Sequence, residues 1–556
     1  MALGVADYVV FGIMLVMSAS VGVYYRFTGG KQKTTQEYML GDKNQSVLPV
    51  AFSLMASFVT AISMFGLSSE VYTRGTQFSI IIISYVIATP VIGYLYLPVF
   101  FKLGNLSLYE YLEIRFGRLT RVITSLAFSI QMIFYMAIVL YVPALTLEAV
   151  TGLPQSASIL LVGLVCVFYS TMGGIKAVII TDLLQSILMY ASVIAVVGVA
   201  WYETGGLSEI WDISNRYGRI NFGNFNIDPT VRHSWLSILV GGSFTQISLY
   251  AVNQTQIQRF LTLKDYKTAV TALWCSLPLV IVISLLTSLS GLAMFSKYYN
   301  CDPIKSGRIS SSDQLMPLYV LDTMGSIPGL TGLFIAGIFS SAMSSVSPIL
   351  NSLAAITMED YIKPFKKQEI ADKKRVYLMK ILVLVYGGVC ITLSFLTKYM
   401  GAVLQTSLTI FGVIGGPVLA VFTLGILLPY INQKGAMAGL IFGLSFSFII
   451  GFGGPKPPVE NLPSFTNSCT IFNISTSSTQ LPSSFYKGTS HDDGYAYLYR
   501  ISYLYYIVLG FLVTFVVAMI VSAIFRGKTR DHNPDLFTPY VAKRLLRRDR
   551  DYGQRL

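Results

Sequence analysis

Apolar residues along the chain fall into thirteen long runs separated by polar connections. Each run is long enough to cross the ~30 Å hydrocarbon core of a bilayer as a helix. The runs cover residues 5–26, 47–70, 78–101, 122–149, 157–173, 177–201, 234–255, 268–296, 328–358, 376–397, 401–430, 435–453 and 501–525. The pattern therefore predicts an all-α polytopic membrane protein of about thirteen transmembrane helices. The first run, Tyr8–Tyr25, continues into basic residues with no small-residue cleavage site, so it reads as a retained span.

Spans two and seven are interrupted by hydroxyls and small residues at mid-depth. Span two carries Ser53, Ser57, Thr60 and Ser63 between Ala51 and Gly66, and span seven carries Ser243, Thr245, Gln246 and Ser248 between Gly241 and Gln254. Ser57-Phe58 in the first echoes Ser243-Phe244 in the second. The two interrupted spans open successive sets of five, 47–201 and 234–430, and an odd set size makes the second set enter the membrane inverted. Paired interruptions in two inverted halves point to a transport site at the midplane. Small residues also permit close helix packing, and for either segment alone that would be the better reading. The matched pair reverses the choice.

Composition agrees with a membrane protein and narrows the alternatives. Hydrophobic residues make up 53% and charged residues only 12%, against about 25% charged in ordinary soluble chains. Mean hydropathy is +0.62. The net charge of +13 sits largely in runs 363–375 and 526–555, which flank apolar spans. Basic runs in that position reflect topology and anionic lipid, and no nucleic-acid partner is expected. With thirteen spans, 29 of the 40 basic residues fall on the side of the C-terminus and 11 on the other. The positive-inside rule then puts the N-terminus outside and the C-terminus in the cytosol.

The predicted organisation is a leading helix and cytosolic loop (1–46), two five-helix units (47–201 and 234–430) joined by an extracellular loop (202–233), two additional helices (431–525) and a basic cytosolic tail (526–556). The connection 454–500 lies outside and contains Asn473-Ile474-Ser475, an N-glycosylation acceptor. Cys166, Cys275 and Cys390 lie within spans as small apolar residues, whereas Cys301 and Cys469 fall in outside loops and are candidates for a disulfide.

Span nine carries hydroxyls at Ser341, Ser344 and Ser345, spaced i, i+3 and i+4 and hence on one helical face. With two carbonyls freed by an unwound stretch of span two, they would form a neutral cage of five oxygens suited to Na⁺. Ser341 and Ser345 are equally a small-residue packing pair. Asp182 and Gln185 lie one turn apart near the cytosolic end of span six. An acid there is functional or paired: an ion-release step is one role, a structural pair with a loop Lys or Arg the other. Glu70 faces an outer vestibule or caps the interface. His233, His491 and His532, the only histidines, all lie in loops or the tail, so the clusters that an embedded enzyme would need are missing.

At these residues the chain resembles the sodium/solute symporter family, with its LeuT-type fold of two inverted five-helix repeats, over nearly the full length. The resemblance rests on Leu54-Met-Ala-Ser-Phe-Val59, Tyr109-Glu-Tyr-Leu-Glu113 with Arg115-Phe116, Gly173-Gly-Ile-Lys-Ala-Val178 leading to Thr181-Asp182, Gln258-Arg259, Ala342-Met-Ser-Ser345 with Asn351-Ser352, and Gly415-Gly-Pro417. It implies a sodium site made by the carbonyls of Ala56 and Val59 and the hydroxyls of Ser341, Ser344 and Ser345. It further implies a second sodium site or exit path at Asp182 and Gln185, and a substrate cavity at Ser63, Gln246 and Tyr250. Sugar carriers of the family have a His at the position of Ser63 and a Lys in the helix matching 268–296. Here no Lys occurs between Lys267 and Lys297, which disfavours sugar. Ala56-Ser-Phe and Ser69-Glu-Val-Tyr72 look more like the monocarboxylate, multivitamin and iodide branch. The expected function is sodium-coupled import of a small organic anion across the plasma membrane, with no obligate protein partner. Vitamin, iodide or sugar uptake, or a sodium-dependent channel or sensor, are the alternatives.

Overall fold

The computed structural model describes residues 3–27, 35–104, 107–172, 174–365, 371–466, 468–469, 495–525 and 533–553. Asn473 lies outside the described residues. Among the described residues there is no β-strand, as expected for a chain whose backbone must satisfy itself within lipid. Among the described residues, ten helices are each long and apolar enough to cross a membrane, and Val47–Phe58 with Ala61–Arg74, bent by 58°, makes an eleventh if the pair is taken as one span. The two remaining apolar runs are the helix Gln155–Met172 and the interrupted pair Gly242–Ala251 and Gln254–Phe260.

Both interruptions have the same local cause. In span two, Val59 leaves helical geometry (ψ 92°) and Thr60 is extended (φ −98°, ψ 172°), its hydroxyl accepting from the Ile62 amide. In span seven, Val252 (φ −121°) is followed by extended Asn253, whose side chain accepts from the Thr255 amide. A β-branched valine followed by a good N-capping residue ends one helix and starts the next. The echo of Ser57-Phe58 in Ser243-Phe244 does not locate the second break, which lies eight residues further on, at Val252-Asn253.

Leu330–Ile356 is the spine of the bundle, and its seryl residues from Ser340 to Ser347 are all buried. It packs closely on the helix Ile175–Thr204: a Cβ added at Gly337 would collide with Ser192 and come within 3.1 Å of the Leu188 carbonyl. Small residues at that crossing bring the backbones together and turn the hydroxyl-bearing face of Leu330–Ile356 towards span two.

Candidate functional site

The break in span two leaves the carbonyls of its last turn, Ala56 among them, without the amides that a continuing helix would supply. Ser344 Oγ donates to the Ala56 carbonyl at 3.0 Å, and Ser345 Oγ stands 3.5 Å from the same oxygen. Both hydroxyls also contact the Ser341 carbonyl, at 3.1 and 3.0 Å, while Ser341 Oγ donates to Ile338 at 2.7 Å. Ala56, Ser341, Ser344 and Ser345 are all fully buried, and Val59 nearly so. Of the five groups singled out in the sequence, the Ala56 carbonyl and the Ser344 and Ser345 hydroxyls meet where an unwound backbone faces a hydroxyl-bearing helix, while the Ser341 hydroxyl is turned to Ile338. Neutral oxygens gathered around a helix break suit a hard monovalent cation.

One turn before Ala56, Ser53 belongs to a buried charged triad. Asp182 Oδ2 accepts from Ser53 Oγ at 2.5 Å and from Arg259 Nη2 at 3.0 Å, and Arg259 Nε reaches Ser53 Oγ at 2.6 Å. Arg259 Nη1 also donates to the Thr255 carbonyl at 3.0 Å. The partner of Asp182 therefore comes from the short helix after the second break, not from a loop. Asp182 Oδ1 and both amide atoms of Gln185 are buried with no hydrogen-bond partner among the described residues.

Two lobes of a cavity open at the break of span two and share Phe58, Ser63, Leu404 and Leu408. One is lined by Ser57, Asn253, Thr255 and Gln256, the other by Tyr85, Thr245, Gln246, Ser284 and Thr287. Among the described residues, none lining either lobe carries a formal charge. Ser63 and Gln246 lie on the cavity. Tyr250 stands behind it, donating to the Leu54 carbonyl at 3.2 Å with its ring 5.7 Å from that of Phe58.

At the far end of Ala61–Arg74, Glu70 pairs with Arg74 at 2.6 Å and Arg232 at 3.1 Å, and Arg232 also donates to Gln405 Oε1 at 2.9 Å. His233 lies 3.6 Å from Glu70; burial holds its imidazole down to about 3, so the ring is neutral at physiological pH. Nearby, Cys301 and Cys469 form a disulfide with Cα atoms 5.1 Å apart.

Asp313 accepts from the Val403 amide at 3.3 Å, at the start of the cavity-lining helix Val403–Leu427. Burial pushes its carboxyl up to about 6. An acid whose folded pKa exceeds its unfolded value of 3.8 costs stability when ionised, so that cost grows from about pH 4 to 6 and is complete above. Asp313→Asn keeps a capping acceptor without the charge. We expect it to melt higher than wild type at pH 7.5 and to lose that advantage at pH 4.5, in thermal melts of purified protein.

A model of the sodium:solute symporter family matches residues 38–443. The chain belongs to that family. Among its relatives, a Drosophila melanogaster protein provisionally named as a sodium-dependent multivitamin transporter is 47% identical over 563 residues, covering 98% of this chain and 93% of its own. Human sodium-coupled monocarboxylate transporter 1 is 39% identical over 543 residues (95% and 88%), and the rabbit sodium-dependent multivitamin transporter 37% over 550 residues (97% and 85%). In fold the chain is similar to a Na⁺-coupled sialic acid symporter solved in a substrate-bound, outward-open state. The TM-score is 0.76 at 23% identity, covering 94% of this chain and 98% of the other. The symporter is accordingly a multi-pass membrane protein of the LeuT-type fold, with sodium as its coupling ion.

Sequence reasoning missed Arg259 as the partner of Asp182, and Asn253 and Gln256 as lining residues. The signal for the last two was an Asn able to cap a helix inside an apolar run.

Proposed function

We propose that the symporter imports a small organic anion together with sodium across the plasma membrane by alternating access. Sodium is held by the carbonyls of Ala56 and Val59 and the hydroxyls of Ser341, Ser344 and Ser345. The observation that carries this reading is the approach of Ser344 to the Ala56 carbonyl across the helix break. Because no cationic side chain lines the cavity, a carboxylate is neutralised by sodium and by the free amides at the start of Ala61–Arg74, the positive end of that helix. Relatives named for monocarboxylates and vitamins support a carboxylate substrate.

Sodium binding stabilises the outward-open state and orders the broken span, and the units 47–201 and 234–430 then rock about the site. Each sodium ion entering down roughly −60 mV supplies about 1.4 kcal/mol. A tenfold sodium gradient adds about as much. A monovalent anion entering against the same potential costs about 1.4 kcal/mol, so one ion supports about tenfold accumulation and two support about a thousandfold. Labelled lactate, pyruvate, biotin, iodide and glucose, offered to cells with Na⁺ or choline, test the reading. Carboxylate accumulation above the external level, only with Na⁺, is the expected result. Sodium-dependent flux that merely equilibrates would indicate a channel instead.

A further inference from the structure

The tail is moored to the bundle at the end of a membrane span and carries a basic face there. Leu536, Phe537 and Thr538 are buried. Tyr111 Oη donates to the Leu536 carbonyl at 3.2 Å, the Thr538 amide donates to the Ile426 carbonyl at 3.2 Å, and the Arg115 guanidinium stands 5.1 Å from the centre of the Phe537 ring. Ile426 belongs to the last turn of the apolar span Val403–Leu427, so residue 538 sits where that span leaves the hydrocarbon. The helix Pro539–Gly553 starts on the next residue, with proline at its first position, where a missing N–H costs nothing. At 1.5 Å per residue it runs about 22 Å from that point.

One side of this helix returns to the protein: Ala542 is buried, and Val541 and Leu545 pack on the core. Tyr540, Lys543, Arg544 and Arg547 are exposed and, spaced i, i+3, i+4 and i+7, share another side. Among the described residues, none of these three cations has an ion pair. Over its full length the helix has five basic residues against two acidic ones. Unpaired cations beside an exposed tyrosine, held at the edge of a bilayer, match the headgroup region of anionic phospholipids. An acidic protein segment would answer the same charges; the mooring at residues 536–538, which holds this face beside lipid, favours the membrane. We propose that Tyr540, Lys543, Arg544 and Arg547 bind the headgroups of anionic phospholipids in the leaflet where Val403–Leu427 ends. On the orientation given by the positive-inside rule that leaflet is the cytosolic one, where such lipids are concentrated. Each Lys or Arg near an anionic surface tightens attachment about fivefold, so the three together contribute on the order of a hundredfold. The site is independent of which anion is carried.

The test uses the full chain in nonionic detergent micelles, with Leu546→Cys carrying an environment-sensitive fluorophore in a Cys275→Ser background. Cys166 and Cys390 are buried and Cys301 is bridged to Cys469, so the label enters at one place. Phosphatidylserine or phosphatidylcholine is titrated into the micelles and the fluorophore reports the tail helix. The expected half-saturating mole fraction is at least ~10-fold lower for phosphatidylserine. Lys543→Gln, Arg544→Gln and Arg547→Gln combined should raise the phosphatidylserine value at least ~10-fold and leave the phosphatidylcholine value unchanged. Because all three side chains are exposed, this variant should melt as the parent does. On the parent protein, about 0.5 M NaCl should weaken the phosphatidylserine response in the same way, by screening. An equal response to the two lipids, a phosphatidylserine response that survives in the triple variant, or one indifferent to salt would overturn the proposal. So would a fluorophore that responds to polyglutamate and not to phosphatidylserine, which would assign the face to an acidic protein.

Discussion

Sodium-driven uptake falls at least ~100-fold when Ser344 and Ser345 are both replaced by alanine, with the protein still reaching the membrane at its normal level. Two of the five oxygens proposed to hold sodium are removed. An interaction between a neutral dipole and a charge contributes about 1.5–3 kcal/mol. Losing two such ligands weakens sodium binding by two orders of magnitude or more, since each ~1.4 kcal/mol is tenfold. The fold tolerates the change: both residues lie inside Leu330–Ile356, where alanine is the better helix former. The Ala56 carbonyl loses its two hydroxyl donors, a cost of about 1–3 kcal/mol. The measurement is the sodium dependence of uptake, normalised to surface-labelled protein. An unchanged half-saturating sodium concentration in the double variant would remove these serines from the ion site.

Arg259→Met is expected to destabilise the fold itself. It strands Asp182, whose buried carboxylate keeps only Ser53 as a partner, and removes the donors to Ser53 and the Thr255 carbonyl. Breaking a buried pair by removing one member costs about 3–5 kcal/mol. That is a large share of the 5–15 kcal/mol that holds a typical protein folded, so surface expression and melting temperature should both drop sharply. Asp182→Asn combined with Arg259→Met removes the orphan charge and should recover part of the loss. Arg259→Lys, which keeps the charge but not the forked donor geometry, should fall between. A single variant as stable as wild type would contradict a structural pair.

The spans were legible because their signal is local: a long apolar run has one meaning in a membrane protein. The break in span two was legible for a similar reason, since Ser53, Ser57 and Thr60 interrupt an apolar run, and Ser341, Ser344 and Ser345 declare their shared face through helical spacing alone. Arg259 was not. It lies 77 residues from Asp182, and the packing of Gln254–Phe260 on Val47–Phe58, itself packed on Ile175–Thr204, brings them together. The charge at Asp182 announced that a partner was needed, but periodicity cannot say which of the cations answers. Tyr250 shows the complementary limit. Spacing puts it on the right stretch of chain, yet the direction of its hydroxyl, behind the cavity wall and onto Leu54, depends on how closely spans two and seven approach.

The outer part of span two is moored at several points: Ser69 to the Ser312 carbonyl, Glu70 to Arg232, and the Thr73 carbonyl to the Leu462 amide. The part before the break is tied by Ser53 to Asp182 and Arg259, by the Leu54 carbonyl to Tyr250 and by the Ala56 carbonyl to the hydroxyls of Leu330–Ile356. If the pathway opens inward by a swing of the inner part about Val59 and Thr60, the moving segment carries Ala56, one wall of the proposed sodium site. Unlatching the gate and loosening the cargo then become a single event, and a bound ion acts as the bolt that keeps the door shut.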